Sequence, residues 1–241
     1  MTIAHPFDYV RPSSLAEVVA ILNESPGGAH VLAGGTDLVP WMRDDAVQPD
    51  LLVDVKRLPG LASVEERDGA LHVGALVTFS TLASSGLIAD RAPVLAEASH
   101  TVGSVGIRNR ATLVGNLCSA VPSLDGGPPL LVYDAVVHTL GPEGRRDVPI
   151  GEWFLGPRRT ALGRGSMVTG VSLPLLGRHG GCYVKLSRYR GEDLAQVAVA
   201  VVVTEDLDYR VALGAVGPVP VRARAIEQLL AGEELDAELM A

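Results

Sequence analysis

One stretch in the middle of the chain, Ala111–Asp125 (ATLVGNLCSAVPSLD), restricts its fold more than any other. Ala111 and Gly115 carry almost no side chain, Thr112, Asn116 and Ser119 add short polar groups, and an aspartate closes the run. Backbone of that kind can come close to a ligand and turn its N–H groups toward an anion. Val31–Leu38 (VLAGGTDL) has the same character, with apolar residues, Gly34-Gly35, then Thr36 and Asp37. Two such loops suit a large, flat, anionic ligand, whereas either one alone reads equally well as an ordinary turn. The hydroxyls of Thr36 and Thr112 can add hydrogen bonds to phosphate or to a polyol. Asp125 can accept from ribose hydroxyls, or it can cap a helix that starts at Gly126.

The surrounding segments alternate in type. Phe7–Pro12 reads as extended. Ser13 or Ser14 caps a helix with Leu15, Val18, Val19 and Leu22 on one face, ended by Pro26-Gly27-Gly28. His30–Ala33 is a short apolar strand, Thr36 or Asp37 caps a helix over Leu38–Arg43, and Leu51–Val55 is a buried strand. Short strands follow at Ala62–Glu66, Ala70–Val73 and Gly74–Thr78, with Arg67-Asp68-Gly69 as a hairpin turn. Helices are predicted at Ser80–Ser84 and at Ala92–Ala98, where Pro93 sits in the first turn; Thr101–Asp125 is read as one long loop. A helix at Pro128–Asp134 precedes strands at Val136–Leu140 and Arg145–Pro149, joined by the turn Gly141–Gly144, and a strand at Met167–Leu173 stopped by Pro174. Near Gly177 a third section begins: strands at Cys182–Ser187, Val197–Val203 and Tyr209–Ala215, a helix at Ala223–Leu230, then an acidic end. This order predicts an α+β protein with three subdomains, 1–57, 58–176 and 177–241.

Function classes fall away on simple grounds. Hydrophobic residues make up 47% of the 241 and charged residues 20%, enough for a sizeable core. A net charge of −8 argues against a nucleic-acid surface, and the pairs Arg108/Arg110, Arg145/Arg146, Arg158/Arg159 and Arg188/Arg190 read as solvated surface. Two isolated cysteines, Cys118 and Cys182, cannot hold an iron–sulfur cluster or a closed zinc site, and Cys118 reads as a small buried hydrophobe. The absence of a disulfide framework and of a signal-like N-terminus points to the cytoplasm, and no apolar run approaches the ~20 residues of a membrane span. Neither glycine loop fits GxGxxG or a P-loop, GxSxG is missing, and the six histidines show no metal-binding spacing.

At these residues the sequence resembles a known family, the FAD-binding medium subunit of molybdenum hydroxylases of the xanthine dehydrogenase and aerobic carbon monoxide dehydrogenase type. Phe7-Asp8-Tyr9 with Arg11-Pro12, then LAGGTDL at Leu32–Leu38, is similar to that family's first FAD loop. IRNRATLVGNLCSAVPSLD at Ile107–Asp125 is similar to its second loop, and Tyr183-Val184-Lys185 with Arg190–Ala195 resembles the start of its C-terminal domain.

The resemblance implies a PCMH-type FAD-binding fold of two subdomains followed by a small α+β domain. It implies FAD contacts from Leu32, Ala33, Gly34, Gly35, Thr36, Asp37 and Leu38 and from Ile107, Ala111, Thr112, Val114, Gly115, Asn116, Ser119 and Asp125. Val102 takes the place of a residue that packs on the cofactor, Val168 lies against the isoalloxazine edge, and Lys185 falls where the family has a lysine near the flavin. It further implies a large molybdenum-cofactor subunit and a small [2Fe–2S] subunit as partners in a heterotrimer, with electrons leaving FAD for NAD⁺, oxygen or a quinone. Val114 stands where the family has glycine, and its methyls would crowd the flavin or demand a β-region backbone. The chain also stops at Ala241, a few tens of residues before the family's usual end. Two rivals stand against this reading: a self-contained oxidase of the vanillyl-alcohol oxidase superfamily, disfavoured because the chain has no room for a substrate domain of its own, and a flavin-free structural subunit.

Overall fold

Three larger β-sheets and a two-stranded ribbon carry the chain in the computed structural model, which describes residues 3–25, 27–189 and 191–233. The readings that involve Pro26, Arg190 and residues 234–241 lie outside the described residues. The first section runs β1 (Asp8–Val10), α1 (Leu15–Glu24), β2 (Ala29–Leu32), α2 (Leu38–Arg43) and β3 (Leu51–Asp54). Its strands form a parallel sheet in the order β1-β3-β2. Ser14 caps α1 by accepting the Glu17 N–H, while the Glu17 carboxylate reaches back to the Ser13 N–H at 2.7 Å.

The second section contains β4 (Val64–Arg67), β5 (Ala70–Gly74), α3 (Phe79–Ser84), α4 (Gly86–Arg91), α5 (Pro93–Thr101), α6 (Val105–Arg108), α7 (Leu113–Ser119) and α8 (Gly127–Val132). It continues through β6 (Val136–Gly141), β7 (Gly144–Pro149), α9 (Ile150–Trp153), β8 (Phe154–Gly156), β9 (Arg159–Thr160) and β10 (Met167–Pro174). Five of these strands make an antiparallel sheet, β4-β5-β10-β6-β7, and β8 and β9 form a separate ribbon. Asp68 and Gly69, both at positive φ, close the predicted β4–β5 hairpin. Phe79, Leu82, Leu95, Leu113, Leu117 and Leu130 pack with Val171 and Leu173 of β10 in one core, each leucine worth about 1.5–3 kcal/mol on burial.

The third section holds β11 (His179–Leu186), β12 (Val197–Thr204), β13 (Tyr209–Gly214), β14 (Val221–Arg222) and α10 (Arg224–Leu230), with its strands antiparallel in chain order. Among the described residues no helix is long and apolar enough to cross a membrane.

Two expectations need correction, and one helix was missed. Gly74–Thr78 is not a strand: β5 ends at Gly74, where a Cβ would lie 2.3 Å from the Leu61 carbonyl, and Thr78 turns the chain to cap α3. Thr101–Asp125 is not one loop, because Ser104 and Thr112 cap two short helices inside it. The helix α4 had no prediction at all; Ser85 caps it through the Ile88 N–H.

Candidate functional site

The two glycine loops meet. Beyond Leu32 the chain leaves the parallel sheet, and Gly34 presses against the backbone entering α7: a Cβ there would lie 2.0 Å from the Arg110 carbonyl oxygen and 3.1 Å from Ala111 Cα. Gly35 takes φ +75°, a conformation that glycine adopts freely. Close approach fixes the first glycine and backbone conformation fixes the second. Beside this seam opens a cleft of about 700 Å³, within the usual range for small-molecule sites.

Hydrogen bonding sorts the loop residues into fasteners and free donors. Thr112 caps α7 by accepting the Gly115 N–H at 3.0 Å, Asn116 Oδ1 accepts the Gly126 N–H at 3.0 Å, and the Ser119 hydroxyl donates to the Asp37 carboxylate. Among the described residues the backbone N–H groups of Gly34, Gly35, Thr36 and Asp37 find no protein acceptor. Consecutive unpaired amides at the mouth of α2, in a loop that lines the cleft, make an anion nest that fits a pyrophosphate. Val31, Leu38, Val102, Ile107, Leu124 and Val168 supply apolar wall around it.

Of the residues singled out from the sequence, Ala33, Gly34, Gly35, Thr36, Asp37, Leu38, Val102, Ile107, Ala111, Thr112, Val114, Gly115, Asn116, Ser119, Asp125 and Val168 all line this cleft. Leu32 does not; its side chain stands behind Gly35, with Cδ1 3.0 Å from where a Cβ would be. Lys185 does not either. Its Nζ donates to Asp125 Oδ2 at 3.0 Å and to the Thr101 carbonyl at 3.1 Å, so it reaches the cleft only through Asp125. Val114 lies in α7 and 5% exposed, so its backbone is helical and the β-region alternative does not arise. Asp125 is no helix cap: Gly126 holds that position in α8, and Tyr183 and Lys185 occupy both carboxylate oxygens. Asp37 holds the cap position of α2 but turns its side chain to Ser119 instead.

Trp41, Leu162, Met167 and Glu192–Leu194 also line the cleft and had no place among the predicted contacts. Glu192–Leu194 arrive from the connection between β11 and β12, a long-range approach without local signal, although the resemblance had marked that segment. Cys118 corrects another reading. It is exposed to the cleft rather than buried like a core hydrophobe.

Electrostatics concentrate at Asp125. Burial pushes its carboxyl up, while the Lys185 charge and the hydrogen bonds from Tyr183 and Lys185 pull it back without cancelling the shift. Burial also raises the Tyr183 phenol, and the adjacent Asp125 charge adds to the effect, so this hydroxyl stays protonated and donates at 2.7 Å. The Asp125–Lys185 pair is nearly dry, at 10% and 6% side-chain exposure.

An amide nest joined to an apolar trough, lined from both the parallel and the antiparallel sheet, suits a ligand with an anionic part and a flat apolar part. The comparisons with known proteins give the cofactor. Residues 5–176 match the FAD binding domain in molybdopterin dehydrogenase, and residues 182–241 match the CO dehydrogenase flavoprotein C-terminal domain. The chain is 32% identical to the carbon monoxide dehydrogenase medium chain of Hydrogenophaga pseudoflava, over 96% of this chain and 82% of that one. It is 30% identical to the glyceraldehyde dehydrogenase medium chain of Sulfolobus acidocaldarius, over 97% and 84%. A solved CO dehydrogenase from Oligotropha carboxidovorans superposes with a TM-score of 0.95 at 31% identity, covering 99% of this chain and 85% of that one. The chain belongs to the FAD-binding flavoprotein family of the molybdopterin dehydrogenases, and as such is an oxidoreductase subunit.

Proposed function

We propose that this chain carries FAD for a cytoplasmic molybdenum hydroxylase of three kinds of subunit. A small [2Fe–2S] subunit would deliver electrons to it, a large molybdenum-cofactor subunit would oxidise the substrate, and NAD⁺, oxygen or a quinone would accept the electrons. Residues 1–57 and 58–176 would act as the two lobes that hold FAD, with 177–241 closing the cleft from behind. The observation that carries this reading is the run of four unpaired amides at Gly34–Asp37, set in the cleft of a chain whose family model is an FAD domain.

Bound FAD supplies the redox chemistry, and the chain's residues supply binding and orientation. Gly34–Asp37 would hold the pyrophosphate, and the Val102, Ile107 and Val168 side chains would exclude water from the rings. The Thr112 hydroxyl keeps its proton free for the cofactor, since it already accepts from Gly115. Asp125 would accept from the cofactor's hydroxyls, its carboxylate held in place by Tyr183 and Lys185. Relatives bearing carbon monoxide and glyceraldehyde in their names share this subunit, which supports a substrate site elsewhere in the complex.

The test is to purify the chain alone and with its partner subunits, then record the visible spectrum and identify the flavin released by heat. One non-covalent FAD per chain supports the reading. FAD only in the complex supports it with partner subunits completing the cleft, and no flavin in either preparation overturns it.

A further inference from the structure

Trp41 projects from α2 one turn beyond the amide nest and lines the cleft. Its ring is covered by a residue that the sequence had consigned to solvated surface: the Arg158 guanidinium carbon lies 4.3 Å from the Trp41 centroid. Arg158 itself is not part of the cleft wall. Among the described residues Arg158 takes part in none of the ion pairs, so the aromatic ring is what engages its charge.

The backbone shows how Arg158 is held there. It adopts φ +57°, a left-handed conformation that non-glycine residues seldom take, between β8 and β9. Its N–H donates at 2.8 Å to the carbonyl of Ala120, the residue that ends α7 in its own left-handed turn at φ +46°. The end of the helix that walls the cleft therefore sets the backbone position from which the Arg158 side chain reaches over the tryptophan ring. A ring immobilised from one side has little freedom left to lose when something flat settles on it, which is the condition under which stacking adds affinity.

We propose that Trp41, held by Arg158, is a stacking face for one of the flat heteroaromatic rings of the bound dinucleotide. The proposal rests on the FAD reading above. Trp41 is a positioning residue: it sets how firmly and in what plane the ring lies and takes no part in electron transfer. The ring engaged is either the isoalloxazine or the adenine, and fragments of the cofactor distinguish them.

The test uses the full chain stripped of flavin and titrated calorimetrically with FAD, FMN and ADP, for wild type, Trp41→Phe, Trp41→Leu, Arg158→Lys and Arg158→Ala. Trp41→Phe should hold FAD within about twofold of wild type, and Trp41→Leu should weaken it about tenfold. That loss should recur with FMN if the isoalloxazine stacks, or with ADP if the adenine does. Arg158→Ala should weaken FAD several-fold and Arg158→Lys should restore it, without a matching fall in the melting temperature of the flavin-free chain. If Trp41→Leu does not fold, the comparison of the two Arg158 variants decides. Wild-type affinity in Trp41→Leu, or FAD weakened with neither fragment affected, overturns the proposal and leaves the FAD reading intact. Failure of wild type to bind FAD overturns both.

Discussion

At the scale of single residues, the cleft is made by what is missing as much as by what is present. Gly34 has a carbonyl oxygen 2.0 Å from where its Cβ would stand, and a backbone atom cannot swing aside as a side chain can. Gly34→Ala should therefore force the two loops apart, costing about 1–3 kcal/mol and most of the bound flavin. A flavin-to-protein absorbance ratio beside a urea melt would read both effects. Asp54, in the sheet below, governs a different property. Burial alone would raise its carboxyl, but hydrogen bonds from Lys56 and Tyr9 and the Lys56 charge more than reverse this and bring it down to about 2. A carboxylate so depressed stabilises the fold fully above its ordinary value near 4 and ceases to do so as the pH falls through about 2. The amount is about 2 kcal/mol. Acid titration of Asp54→Asn followed by circular dichroism should show a shallower loss of stability across that window than wild type shows.

Elements follow from local chemistry where caps and periodicity are strong, and from tertiary contact where they are weak. The helix at Leu15–Glu24 was legible because Ser14, Glu17 and the Val18/Leu22 face agree. So was the hairpin at Asp68-Gly69, whose residues suit a left-handed turn. The short helices within 101–125 were not legible, since α6 has four residues, two of them Gly106 and Arg108, and no apolar stripe to reveal it. Gly74–Thr78 misled in the opposite way: the apolar run Ala75-Leu76-Val77 imitates a buried strand, and the approach of Leu61 to Gly74 explains why the ladder stops. The candidate site divides along the same line. Its two loops could be read directly, whereas Glu192–Leu194 arrive by long-range packing, and Trp41, although it follows the first loop in α2, had been read only as part of a helix. Within α7, Thr112→Ala removes the cap that satisfies the Gly115 N–H and should cost about 1 kcal/mol. Thermal melts of this variant and of Thr112→Ser would check that assignment, with the serine variant close to wild type.

Across the whole molecule, the third sheet is tied to the cleft by side chains rather than by a shared ladder. Glu97 of α5 accepts the Tyr183 N–H at 2.7 Å, and Tyr183 and Lys185 of β11 both donate to Asp125. Asp125→Asn would leave the Lys185 charge almost dry and without its counter-charge, a change worth about 3–5 kcal/mol. Urea unfolding should show that loss, and adding Lys185→Met to the same chain should recover part of it because the uncompensated charge goes too. The same arrangement limits how relatives can exchange parts. Since each oxygen of Asp125 accepts from a residue some sixty positions downstream, the strand that carries Tyr183 and Lys185 is not independent of the cleft. A chimera that imports it from another family member should keep a working cleft only when a tyrosine and a lysine arrive two residues apart on the incoming strand. Inheritance of the flavin pocket is in that sense a joint property of two distant stretches of sequence.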